Sequence, residues 1–116
     1  MAEFPLFMRN PKNAIDPSMQ SEGVEGFVYD GADGSQMAFW TASKSGKSSE
    51  HTHPFDEYFV VIEGECVLYM KGEKIVLRRG DECFIPVGIA HSTENAPGTR
   101  TIHSFGGKRA ERALKK

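Results

Sequence analysis

The densest signal in this chain is its turn punctuation. Glycine-centred pairs recur at Asp30-Gly31, Asp33-Gly34, Ser45-Gly46, Glu63-Gly64, Lys71-Gly72, Arg79-Gly80, Val87-Gly88, Pro97-Gly98 and Gly106-Gly107. Such pairs break regular structure, because glycine enters the positive-φ conformations of tight turns without a steric penalty. The intervals between them are rich in Val, Ile, Phe, Tyr and Thr and run for about 5 to 9 residues, the length of strands rather than helices. Eight strands are expected: Val24 to Asp30, Gln36 to Ser43, Asp56 to Glu63, Glu65 to Lys71, Glu73 to Arg79, Glu82 to Pro86, Ala90 to Ala96 and Thr99 to Phe105. That spacing predicts an all-β sandwich or barrel.

The two ends depart from this pattern. Residues 1–23 contain Pro5, Pro11 and Pro17 and read as an extended N-terminal arm. Phe4, Leu6, Phe7 and Met8 make that arm too apolar for a free tail. It is expected either to pack along its own barrel or to cross to a partner, covering an edge strand in both cases. Residues 107–116, GKRAERALKK, favour a short C-terminal helix, with a frayed solvated turn as the alternative. The expected organisation is therefore arm 1–23, barrel 24–106 and tail 107–116. At 116 residues this is one domain.

Composition excludes some partners. With 14 Lys plus Arg against 16 Asp plus Glu, the net charge is −2 and no basic stripe exists to track a phosphate backbone, so nucleic acid is not expected. No apolar run approaches the roughly 20 residues that span a bilayer, and the first residues lack a basic-then-apolar leader. A soluble, cytoplasmic protein is expected. Cys66 and Cys83 are too few for a disulfide scaffold and are expected as reduced, buried small hydrophobes.

Chemistry concentrates in two clusters. The first runs His51-Thr52-His53-Pro54-Phe55-Asp56-Glu57 and ends at Gly64; the second comprises Gly80, Pro86, Gly88, His91 and Asn95. In an extended segment His51 and His53 share a face, and Glu57 keeps their parity, with Phe59 and Val61 lining the interior below. Two imidazoles and a carboxylate form the facial set that holds a divalent first-row metal, and His91 from another strand would add a fourth ligand. Two positions on a six-coordinate metal would remain for a bidentate substrate, or for substrate and oxygen together. Nitrogen and oxygen donors without thiolate leave Fe, Mn, Ni, Co and Zn all open. The alternative is four polar residues on a solvated rim.

In these residues the chain resembles the cupin superfamily, whose motifs are G-x5-H-x-H-x3,4-E-x6-G and G-x5-P-x-G-x2-H-x3-N. Here they read His51-x-His53-x3-Glu57-x6-Gly64 and Gly80-x5-Pro86-x-Gly88-x2-His91-x3-Asn95. One departure is Gly46, separated from His51 by four residues where the motif has five. The resemblance implies a double-stranded β-helix, or small jelly-roll barrel, with one divalent transition metal near one mouth on His51, His53, Glu57 and His91. Beside this, Gly64, Gly80 and Gly88 suit turns of positive φ, and Asn95 is expected to hold a loop rather than bind substrate.

Other residues are weaker candidates. Thr101, His103 and Phe105 share one strand face; if that face is inward, His103 is a candidate catalytic base or substrate contact, the alternative being a satisfied or exposed strand histidine. Tyr58, Tyr69 and Trp40 are expected in the core rather than in a pocket. Arg100 could hold an acidic ligand near a mouth. A barrel this small admits one small ligand. The expected function is a metal-dependent enzyme of oxygenase, isomerase or lyase type acting on a small chelating polar molecule. The alternative is a non-catalytic small-molecule binding or sensing module using the same metal, and a homodimer is expected in either case.

Overall fold

The structure, a computed structural model, describes residues 9–19 and 23–113. The apolar residues Phe4, Leu6, Phe7 and Met8 lie outside that range. Among the described residues nine strands run β1 (Val24–Asp30), β2 (Gln36–Ala42), β3 (Gly46–Lys47), β4 (Glu57–Glu63), β5 (Glu65–Met70), β6 (Glu73–Arg78), β7 (Glu82–Ile85), β8 (His91–Asn95) and β9 (Arg100–Phe105). Two antiparallel sheets result, ordered β1-β2-β9-β4-β7 and β3-β8-β5-β6. The eight expected strands are present. The two-residue β3, paired with Asn95 and Glu94 of β8, was too short to register as a sequence pattern. Among the described residues no helix is long and apolar enough to cross a membrane.

Period-two burial builds the interior. On β4, Glu57, Phe59 and Val61 face inward, at 5%, 0% and 0% exposure, while Tyr58 points out. Phe59 and Val61 pack against Cys66 and Leu68 of β5, Leu77 of β6 and Ile85 of β7, joining the two sheets. Between β4 and β5 the chain passes from one sheet to the other through the single residue Gly64. Its φ is +85°, and a Cβ there would lie 2.7 Å from the Thr99 Cα, so this corner accepts glycine only. Gly80 and Gly88 also take positive φ, as expected. Between β5 and β6 the two-residue turn Lys71-Gly72 has both φ positive, the geometry that matches strand twist in a tight hairpin.

The ends of the chain close the other half of the large sheet. Ala14 bridges to Phe27 of β1 and Ile15 bridges to Arg112, so arm and tail extend the sheet past its β1 edge. Of the two courses open to the arm, residues 14 and 15 thus follow their own barrel. Ile15 and Ala110, both nearly inaccessible, join Val28, Ala38 and Phe105 in a second core.

The described tail, 107–113, is extended and not helical. Gln36, 1% exposed, explains this. Its Oε1 accepts from the backbone N–H of Arg109 (2.7 Å) and Ala110 (2.9 Å). Its Nε2 donates to Asp30 Oδ1 (2.8 Å) and to the Ala110 carbonyl (3.1 Å). Asp16 N–H and Ala113 N–H then donate across to the Glu111 and Ala14 carbonyls. These long-range bonds and the burial of Ala110 outweigh a helix propensity that ten residues cannot realise alone.

Replacing Gln36 by Ala leaves two buried N–H groups without acceptors and is expected to cost at least about 2 kcal/mol. Urea unfolding should report that loss. Amide exchange should show residues 107–113 losing protection before the barrel does.

Candidate metal centre

The site forms where the loop before β4 meets β8. His51 and His91 exchange backbone hydrogen bonds, His51 N–H to the His91 carbonyl at 2.9 Å and the reverse at 3.0 Å. That bridge sets their side chains side by side, ring centroids 4.4 Å apart. Residues 52–56 are not strand: the chain bends at Pro54 and Phe55. Convergence of His51 and His53 therefore comes from this bridge and a pinned loop, not from a continuous strand. The His53 carbonyl accepts from Gly88 N–H (3.0 Å), and Asp56 Oδ1 accepts from Val87 N–H (2.9 Å). The His53 ring lies flat on Phe55, centroids 5.1 Å apart and 7° from parallel.

The ring nitrogens are oriented for an electrophile. His51 Nδ1 lies 2.8 Å from the Ser49 carbonyl and His91 Nδ1 lies 2.9 Å from the Ile89 carbonyl. A carbonyl can only accept, so each Nδ1 carries the proton and each Nε2 keeps its lone pair. Donor atoms of His51, His53 and His91 all lie within 4.8 Å of one another. Glu57 Oε1 stands 3.5 Å from His53 Nε2 and 3.4 Å from His91 Nε2. Its other oxygen, Oε2, accepts from His103 Nδ1–H at 2.7 Å, while His103 Nε2 lies 3.0 Å from the Thr101 hydroxyl.

Glu57 Oε1 and His53 Nε2 are buried and have no hydrogen-bond partner among the described residues. Facing electron-rich atoms out of water are costly unless a positive charge lies between them. This donor set therefore fits a divalent cation, and the carbonyl contacts behind His51 and His91 are the kind that fix ligating imidazoles. Burial by itself would raise the Glu57 carboxyl, but His103, His53 and His91 outweigh it and hold the group well below the usual carboxylate range. Burial lowers His51. For His91 the same burial is overcome by Glu57 and the Ile89 carbonyl, so its pKa is raised.

His103 is inward and 8% exposed, with both ring nitrogens engaged. Trp40 meets its ring edge-on at 4.7 Å and lines an inner cavity of about 90 Å³ with His51, His91, Thr93 and Asn95. Trp40 thus packs against the second core, as expected, and also lines this cavity. Asn95 Oδ1 is buried without a partner, so its side chain does not hold a loop through that oxygen. Outside this cavity opens a vestibule of about 500 Å³ lined by residues including Met19, Ser49, Phe55 and Arg109. Arg109 reaches both spaces and was not a candidate in the sequence, because its place depends on the captured tail. Arg100 instead pairs with Glu63 at 3.9 Å. Tyr58 and Tyr69 donate to Glu82 and Glu94. Burial pushes the Cys66 thiol up to about 12, and Cys83 is raised for the same reason, so both stay protonated at neutral pH.

The cupin domain family matches this chain over residues 38–102, more than half of its length. A 48-residue stretch is 42% identical to the tetracenomycin polyketide synthase protein TcmJ of Streptomyces glaucescens, covering 40% of this chain and 32% of that one. The match thus spans about a third of that relative's length. Among solved structures, KdgF from Halomonas sp. superposes with a TM-score of 0.75 at 18% identity, over 94% of this chain and 96% of the other. Salicylate 1,2-dioxygenase from Pseudoaminobacter salicylatoxidans, with gentisate, superposes with a TM-score of 0.68 at 17% identity, over 73% of this chain and 25% of the other.

In the metal-free protein, imidazole titration followed by NMR should place His91 above 6.5 and His51 below it. A cation entering the site competes with a proton at His91, so its affinity should rise as pH rises through the His91 value. The reverse order of the two histidines would contradict the geometry.

Proposed function

The chain belongs to the cupin domain family, and from that premise we propose that it is a metal-dependent enzyme acting on a small chelating polar molecule. The ligands in this reading are His51, His53, Glu57 and His91, holding one divalent Fe, Mn, Ni, Co or Zn ion. The carrying observation is the pair of buried, unpartnered atoms, Glu57 Oε1 and His53 Nε2, facing each other beside His91 Nε2. A bound metal would supply Lewis-acid polarisation of substrate oxygens and a site where oxygen and substrate can meet. Oxygenase, isomerase and lyase chemistries all remain within the reading, since the fold does not choose among them.

The chain's own residues set the rest. Apolar Phe59, stacked 4.6 Å from His103, walls the floor of the site against water. His103 holds one Glu57 oxygen so that the other points at the imidazoles, a positioning role that supports its selection as a site residue. Replacing His103 by Ala should weaken metal binding by about 10- to 100-fold while the barrel stays folded; competition with a chromogenic chelator measures this. Oxygen consumption and product analysis with diketones, thiols and phenols, against His51→Ala, test turnover. Saturable ligand binding without turnover across that panel would favour the sensing module instead.

We also propose a homodimer. Cross-strand neighbours Tyr29, Met37, Ser104, Tyr58 and Phe84 form a row across the outer face of the large sheet. Phe84 is 54% exposed and Met37 46%, an apolar patch suited to a second copy. Light scattering should give twice the chain mass for the wild type and the chain mass for Phe84→Asp; a monomeric wild type contradicts the proposal. Two free thiols support a reducing, cytoplasmic setting.

A further inference from the structure

Arg109 lines both the inner cavity and the vestibule, together with His51 and Ser48. It is held from two sides. Its backbone N–H is captured by Gln36, and its side chain lies over the Trp40 ring, 5.7 Å from the centroid, with Nη1 donating to the Met19 carbonyl at 3.4 Å. Among the described residues it has no carboxylate within ion-pair distance. Arg78, Arg100 and Arg112, by contrast, each face one, in Glu65, Glu63 and Asp30.

Among the described residues neither cavity is lined by an Asp or Glu. The vestibule's other cations are already engaged, Lys47 over the Tyr69 ring at 4.1 Å and Lys108 with Glu111 at 3.2 Å. Burial strips hydration from this guanidinium, and the Met19 carbonyl, the Trp40 ring and a longer-range attraction to Glu57 repay it only in part. A planar fork of donors aimed into a cleft matches the carboxylate of a small acid, which it can bind with two parallel hydrogen bonds.

We propose that Arg109 is the specificity-determining residue of this pocket and that the ligand is a small organic acid whose carboxylate docks on it. The inference deepens the small-molecule reading of the same site and rests on it. It places the recognised charge on the tail and leaves the metal-facing end of the ligand to the histidine cluster. A neutral analogue of equal size should then be rejected, because the guanidinium would be desolvated against it without compensation.

The test uses benzoate and its neutral isostere benzamide, with inorganic phosphate as a third arm. All are titrated into zinc-loaded and chelator-treated protein while the Arg109 Nε–H resonance and the melting temperature are followed. Benzoate should shift that resonance and raise the melting temperature, and benzamide should do neither. Arg109→Gln should weaken benzoate binding at least about 10-fold, and Arg109→Lys should keep part of it. Both variants leave the backbone contact to Gln36 intact, so their melting temperatures without ligand check folding.

Equal response to benzoate and benzamide, no response to benzoate at about 20 mM, a concentration that suits a fragment-sized ligand, or unchanged benzoate binding in Arg109→Gln overturns the proposal. Preference for phosphate over benzoate overturns the carboxylate assignment. Zinc content of the same samples reads the metal site separately, so loss of the metal reading and loss of the Arg109 reading are distinct results.

Discussion

A carboxylate taken out of water must be answered by donors or by a cation, and Glu57 is answered only in part. Its Oε2 accepts from His103, while its Oε1 faces the Nε2 atoms of His53 and His91 at 3.5 and 3.4 Å without a hydrogen bond. Since His91 gives its Nδ1 proton to a backbone carbonyl, the atom it turns toward Glu57 carries a lone pair. Without metal, the group that relieves this opposition is a proton, which is why His91 is raised above the ordinary imidazole value. A divalent metal held by these residues would take the proton's place. One contact thus links burial, proton affinity and metal affinity.

The barrel exists around that contact in layers. Phe59 and Val61 put a dry floor beneath Glu57, and the Gly64 corner sends β5 over them into the second sheet. At the other end of the large sheet, arm and tail residues Ile15 and Ala110 close a second core with Val28, Ala38 and Phe105. Gln36, at the centre of that closure, orders the segment that carries Arg109 to the mouth. A buried amide in the second core therefore fixes the backbone that carries Arg109.

Much of this was legible in the chain, and the losses have physical causes. The β runs and their turns were readable because period two and glycine act locally. His51, His53, Glu57 and His91 were identifiable because residue type and spacing both point to metal, although the 52–56 segment bends where continuous extension was expected. The tail read as either a short helix or a frayed turn because propensity is local, whereas Gln36, which captures Arg109 and Ala110 of the described tail, lies more than seventy residues away in the chain. Arg109 was missed as a pocket residue for the same reason: only the folded tail brings it to the cavities. His103 was visible as a candidate, but its bond to Glu57 required the register of β9 against β4.

Elemental analysis of the purified protein, paired with anomalous diffraction at the absorption edge of the metal found, tests the central claim most directly. The account predicts about one divalent metal per chain, with the anomalous peak among His51, His53, Glu57 and His91 and its loss in Glu57→Gln or His51→Ala. Less than about a tenth of a metal per chain after reconstitution with Fe, Mn, Ni, Co and Zn, or a peak elsewhere in the molecule, would contradict it.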